Sequence, residues 1–227
     1  MRTADGELDA HVVLPEAGSG PGIVVLQEIF GVGSYIKEAA ERLAGLGYVA
    51  LAPDLYWRIG RGIAIDHTED GLGEAFQTAQ KLDHALAVTD SIDALAALRD
   101  LPEVTGGEAG VLGFCLGGTL AFQVAIQADP QVAVCYYGSG IADMLDQGEE
   151  IRCPVLFHFG GQDPYIPRER SERVAAFAAE HEGIECHIQA DAGHAFDNHD
   201  SPMFYQPEPA ARAWEITRDF LARTLPA

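Results

Sequence analysis

Short β-branched runs alternate with longer amphipathic stretches along the whole chain, and this alternation does most to limit what the chain can fold into. The candidate strands are Leu8–Leu14, Gly22–Glu28, Tyr48–Leu51, Ala109–Phe114, Val132–Tyr137, Pro154–Phe159 and Ile184–Ala190. The first of these reads as an edge strand or half of a hairpin. Between them lie candidate helices: Ser34, as a cap, to about Leu46, then Glu69–Leu82, Ala85–Leu101, Leu116–Ala128, Arg168–Glu182 and Pro209–Leu225. Strands separated by helices of this length are joined by right-handed crossovers, which gives an α/β fold with a mostly parallel sheet covered by helices on both faces. Gly22-Ile-Val-Val-Leu is apolar at consecutive positions, as expected of a strand buried on both sides.

No repeat, low-complexity tract or Pro/Gly/Ser-rich linker divides the 227 residues, so they are expected to form one domain, 1–227. The balance of 14 basic against 35 acidic residues, a formal charge of −21, disfavours nucleic acid and anionic membrane surfaces as partners. No apolar run approaches the ~18 residues of a spanning helix. The N-terminus carries Asp5, Glu7 and Asp9 where a secretory signal would carry positive charge, which points to a cytoplasmic protein. Four cysteines without a Cys-x-x-Cys pair suggest neither a disulfide scaffold nor a zinc ribbon. No metal-ligand spacing stands out either, so no metal is expected.

The sharpest local feature is Gly113-Phe114-Cys115-Leu116-Gly117-Gly118, at the end of one candidate strand and the start of a helix. This is the arrangement of a nucleophile elbow, with cysteine in the position usual for serine. A strand that turns sharply into a helix forces its central residue into strained backbone angles, and small neighbours make room for the turn. The helix N-terminus and its free N–H groups favour the anionic form of a sulfur placed there. The Leu116 N–H would point at an oxyanion formed on an attacked carbonyl.

A nucleophile of this kind needs a base and an orienting acid. His194 lies in Ala192-Gly193-His194-Ala195-Phe196, after the strand ending at Ala190, and Asp163 ends Gly160-Gly161-Gln162-Asp163 after the strand ending at Phe159. Taken singly, these are ordinary turn residues. Together, in the order Cys115, Asp163, His194 and each after its own strand, they follow the α/β-hydrolase chain order. Gln27-Glu28-Ile29-Phe30-Gly31 occupies the loop that supplies the second oxyanion donor in that fold, here the Ile29 N–H. His158, inside a strand, reads as a core histidine. The loop Tyr56–Thr68 is a candidate pocket wall or lid.

These motifs, with Pro53-Asp54-Leu55-Tyr56, Tyr136-Tyr137-Gly138 and Phe157-His158-Phe159, resemble the dienelactone hydrolase family, a cysteine-dependent branch of the α/β-hydrolases. The resemblance implies a monomeric, cofactor-free enzyme that hydrolyses the enol-lactone of dienelactone to maleylacetate in the catabolism of chlorinated aromatics. It implies Cys115 as nucleophile, His194 as base and acid, Asp163 as its orienter, Glu28 as the carboxylate that acts on the resting thiol, and Ile29 and Leu116 as the oxyanion hole. Tyr137, Phe196 and Asn198 fall among the expected substrate contacts. One departure bears on the substrate. The two arginines that hold the carboxylate of dienelactone in the family correspond to Gly73 and Asn198 here. Arg58 and Arg61 are the nearest candidates to replace them. Without that clamp an ester or lactone lacking a carboxylate is the alternative substrate, and a non-catalytic binding protein or a thiol redox protein the alternative class.

Overall fold

The computed structural model describes residues 1–227. In chain order it contains β1 (Arg2–Thr3), β2 (Gly6–Glu7), β3 (Ala10–Val13), β4 (Gly20–Leu26), α1 (Ser34–Ala44), β5 (Val49–Pro53), α2 (Glu69–Ala79), α3 (His84–Arg99), β6 (Val104–Phe114), α4 (Leu116–Ala128), β7 (Ala133–Tyr136), β8 (Val155–Gly160), α5 (Arg168–Glu180), β9 (Ile184–Gln189) and α6 (Pro207–Thr224). Seven strands form one sheet in the order β3-β5-β4-β6-β7-β8-β9. Every neighbouring pair is parallel except β3 with β5.

All residues of β4, β5, β7 and β8 are buried. Successive strand side chains point to opposite faces, so complete burial means that both faces of the sheet centre are covered. A single cluster of 53 buried apolar residues fills the space between sheet and helices. This is the α/β-hydrolase architecture. No helix is long and apolar enough to cross a membrane.

Three local expectations change. Leu8–Leu14 resolves as the antiparallel edge strand β3, preceded by an unanticipated two-residue hairpin of β1 and β2. β6 begins at Val104, five residues earlier than expected, passing Gly106 and Gly107 at positive φ. Ser34 does not cap α1. Gly33 holds the cap position, and the Ser34 hydroxyl is bonded to the Asp200 carboxylate instead.

Candidate active site

The carboxyl ends of β4, β6, β8 and β9 bring four separate sequence segments to one edge of the sheet. Cys115 follows β6 and precedes α4 with φ 54° and ψ −111°, a left-handed backbone that a residue with a Cβ rarely adopts. The glycines around it are there for close approach: a Cβ on Gly117 would lie 2.2 Å from the Leu26 carbonyl oxygen, and one on Gly118 2.3 Å from that of Tyr136. The Gly117 N–H donates to the Gln27 carbonyl at 3.0 Å, stitching the elbow to the end of β4.

His194 Nε2 lies 3.3 Å from Cys115 Sγ, and His194 Nδ1 lies 2.7 Å from Asp163 Oδ2. The other Asp163 oxygen accepts the N–H groups of Tyr165 (2.8 Å) and Ile166 (3.0 Å). Both oxygens of that buried carboxylate are therefore engaged, which fixes the face it turns to the imidazole. Burial opposes the positive charge of His194, but the charge of the Cys115 sulfur and the hydrogen bonds to Asp163 and Cys115 outweigh it and raise the imidazole to about 10. An imidazolium held between a sulfur and a carboxylate can deliver a proton to a leaving group and recover one from water.

Glu28 is buried at the end of β4. Its Oε2 accepts the Asn198 amide at 2.6 Å and lies 3.8 Å from His67 Nε2, while its Oε1 has no hydrogen-bond partner. The Ile29 N–H has no backbone acceptor, and the Leu116 N–H opens α4, where the first N–H groups have none within the helix. Glu28, Ile29, Cys115, Leu116 and His194 all line one cavity of about 450 Å³. Phe30, Leu72, Phe76, Tyr165 and Phe204 make half of the remaining wall. No lysine or arginine lines it.

The predicted substrate contacts are displaced from this cavity. Arg58 is paired with Asp5 at 2.8 Å and with the buried Asp90, and Arg61 with Asp9 at 2.7 Å. Acidic partners on the N-terminal segment and on α3 draw both guanidinium groups away. Tyr137 and Phe196 are fully buried behind the histidine, with Tyr137 centred 5.3 Å from the His194 ring, and neither lines the cavity. Asn198 is fully buried, and its amide is spent on Glu28. The loop 56–68 contributes nothing to the cavity wall.

The sequence reading passed over the aromatic wall and His84, which lines the cavity at the start of α3. Leu72 and Phe76, an i,i+4 apolar pair in a candidate helix, carried the available signal. His158 is a core residue, with Nε2 3.0 Å from the Thr217 hydroxyl, and burial lowers it to about 3. Burial raises the thiols of Cys135, Cys153 and Cys186, the latter two to about 12, so these three are poor nucleophiles. Glu38, His199 and Asp200 bring potential metal-ligating atoms within 4.8 Å of one another. The atoms already bond among themselves and to Ser34.

The chain matches the dienelactone hydrolase family over residues 8–225. It is 37% identical over 223 residues to a carboxymethylenebutenolidase of Pseudomonas sp. strain P51, covering 97% of this chain and 92% of that one. It is 36% identical over 224 residues to a carboxymethylenebutenolidase of Pseudomonas putida, covering 98% and 94%. A crystal structure of a dienelactone hydrolase-like promiscuous phosphotriesterase from metagenomic libraries superposes with a TM-score of 0.79 at 28% identity, over 96% of this chain and 93% of that one.

Proposed function

The chain belongs to the dienelactone hydrolase family and is a hydrolase of esters or lactones, and on that premise we propose that it works through a thioester at Cys115. The observation that carries this reading is the unbroken row from Cys115 Sγ through His194 to Asp163, with the sulfur end opening into the cavity.

The Cys115 thiolate attacks the substrate carbonyl carbon, forming the S–C bond while the carbonyl electron pair moves onto oxygen. The N–H groups of Ile29 and Leu116 receive that oxyanion. Collapse breaks the C–O bond, and the His194 imidazolium protonates the departing alkoxide or opened ring oxygen. Water then attacks the thioester as His194 takes its proton, and collapse of the second tetrahedral intermediate returns the thiolate and the carboxylic acid. No cofactor takes part in this sequence.

Dienelactone, hydrolysed to maleylacetate, is the substrate that the carboxymethylenebutenolidase relatives suggest. One observation favours a second reading, a neutral ester or lactone. The wall is apolar, it holds the Glu28 carboxylate, and it offers no guanidinium or ammonium group to a substrate anion. Cys115→Ala is expected to abolish hydrolysis of p-nitrophenyl acetate while leaving the protein folded. Full activity in that variant would remove the thioester mechanism. Dienelactone assayed beside a neutral lactone and an aryl ester separates the two substrate readings.

A further inference from the structure

The loop that leaves β5 does not cover the cavity. It runs behind Glu28–Gly31, the segment that carries the proposed oxyanion donor Ile29, and holds it at successive points. The Tyr56 hydroxyl donates to the Ile29 carbonyl at 2.8 Å. The Ile65 N–H donates to the Phe30 carbonyl at 2.9 Å, and Gly31 and Ala64 form an antiparallel bridge. The approach at that bridge is close enough to require glycine: Gly31 has φ 83°, and a Cβ there would sit 2.0 Å from the Ile63 carbonyl oxygen. The loop is itself fixed. Asp54 accepts the Tyr56 N–H at 3.1 Å through one oxygen and the Gly62 N–H at 2.8 Å through the other, while Gln27 accepts the Leu55 N–H at 3.1 Å.

These bonds make the segment's carbonyls unavailable while leaving the Ile29 N–H open. The Glu28 carbonyl is taken by the Gly31 N–H at 3.3 Å, the Ile29 carbonyl by Tyr56 and the Phe30 carbonyl by Ile65. The Ile29 N–H has no backbone acceptor, and neither have the Glu28 and Phe30 N–H groups on either side of it. A donor acts on a transition state only if it is held in place before the charge develops. Tyr56 is the single side chain that fixes the peptide on the carboxyl side of Ile29. It is fully buried, and its hydroxyl is raised above its ordinary range by burial and by the nearby charge of Cys115, so it remains a donor.

We propose that Tyr56 is a positioning residue for the oxyanion hole, holding Ile29 through its carbonyl so that the Ile29 N–H faces the reacting carbonyl oxygen at Cys115. The inference rests on the thioester reading. It assigns the loop 56–67 the role of a fixed brace.

Alkylation of a thiolate forms no oxyanion, whereas acylation does. The Tyr56→Phe variant and the unaltered protein are each treated with iodoacetamide, following Cys115 by mass spectrometry, and with p-nitrophenyl acetate, following the nitrophenolate burst. Acylation per alkylatable Cys115 is expected to fall on the order of 10-fold in Tyr56→Phe, carried by kcat with KM little changed, and alkylation to keep its rate. That ratio counts only folded sites, so a loss of stability in the variant does not obscure it. An unchanged ratio, or acylation and alkylation falling together, would overturn the role of Tyr56. Absence of a burst in the unaltered protein, with Cys115→Ala still active, would instead overturn the thioester reading beneath it.

Discussion

Asp163 and Glu28 are both buried carboxylates beside the Cys115–His194 pair, and they are held in opposite ways. Asp163 takes its partners from its own turn, the N–H groups two and three residues ahead, and gives its remaining oxygen to His194. Glu28 receives one donor, Asn198, from 170 residues away, and its second oxygen has no partner. A carboxylate with both oxygens held is a fixture. A carboxylate with a free oxygen in a cavity wall carries charge that is available to whatever enters. The first should govern how fast the chemistry runs, and the second which substrates are admitted.

Replacing the fixture gives the largest expected effect. Asp163→Ala frees the imidazole to rotate and removes an acceptor from Nδ1, and kcat should fall by about 10³–10⁴-fold, as loss of the acid member does in triads generally. KM should move little, because Asp163 does not line the cavity. A loss under tenfold would mean that the orientation of His194 is set elsewhere, and the contrast with Glu28 would disappear.

Glu28→Gln tests the other half. It keeps the shape and can still accept from Asn198, but removes the charge. Neutral esters should lose less than in Asp163→Ala. The ratio of kcat/KM for a carboxylate-bearing lactone to that for a neutral one should rise about tenfold, the size expected for one charge at close range in a partly solvated site. A constant ratio would show that Glu28 does not screen substrates. Asn198→Arg should move the same ratio upward by a smaller factor. The new guanidinium enters a fully buried position and faces Glu28, which neutralises much of its charge before a substrate arrives.

The same contrast explains what could be read in the sequence. Cys115, Asp163 and His194 were visible because each owes its placement to its own loop, with glycines beside it at the end of a strand. Glu28 could be marked as an ionisable group ending an apolar strand. Its link to Asn198 and its proximity to His67 could not, because they depend on how distant loops meet. Arg58 and Arg61 were misplaced for that reason: their positions looked suitable for substrate, while the acids that claim them lie on α3 and on the N-terminal segment. Tyr137 and Phe196 were assigned from their motifs, which give proximity to His194 but not the side of the ring on which they pack. The loop 56–68 was expected at the cavity because of its length and composition. Its hydrogen bonds to the back of Glu28–Gly31 involve main-chain atoms, which sequence composition does not reveal.

The smallest expected effect concerns the proton on His194. Its folded-state value of about 10 exceeds the ordinary histidine value near 6.5. The folded protein therefore holds a proton that the unfolded chain releases. The resulting stabilisation is complete below about pH 6.5 and is lost as pH rises through about 10. The charge of Cys115 is the largest of the influences that raise His194, and Cys115→Ala removes it. The unaltered protein should thus lose stability relative to Cys115→Ala mainly between about pH 8.5 and 10, because below that range the unfolded thiol keeps a proton that offsets the one on His194. The relative fall in melting temperature should be on the order of a few degrees, since 1 kcal/mol corresponds to roughly 2–4 °C in a domain of this size. Acylation of esters with poor leaving groups should decline over the upper part of the same range, because those esters need the imidazolium proton that nitrophenolate does not. Parallel stability curves for the two proteins would mean that sulfur and imidazole do not share charge in the resting site. The Asp163 hydrogen bond would then be the principal influence holding the proton.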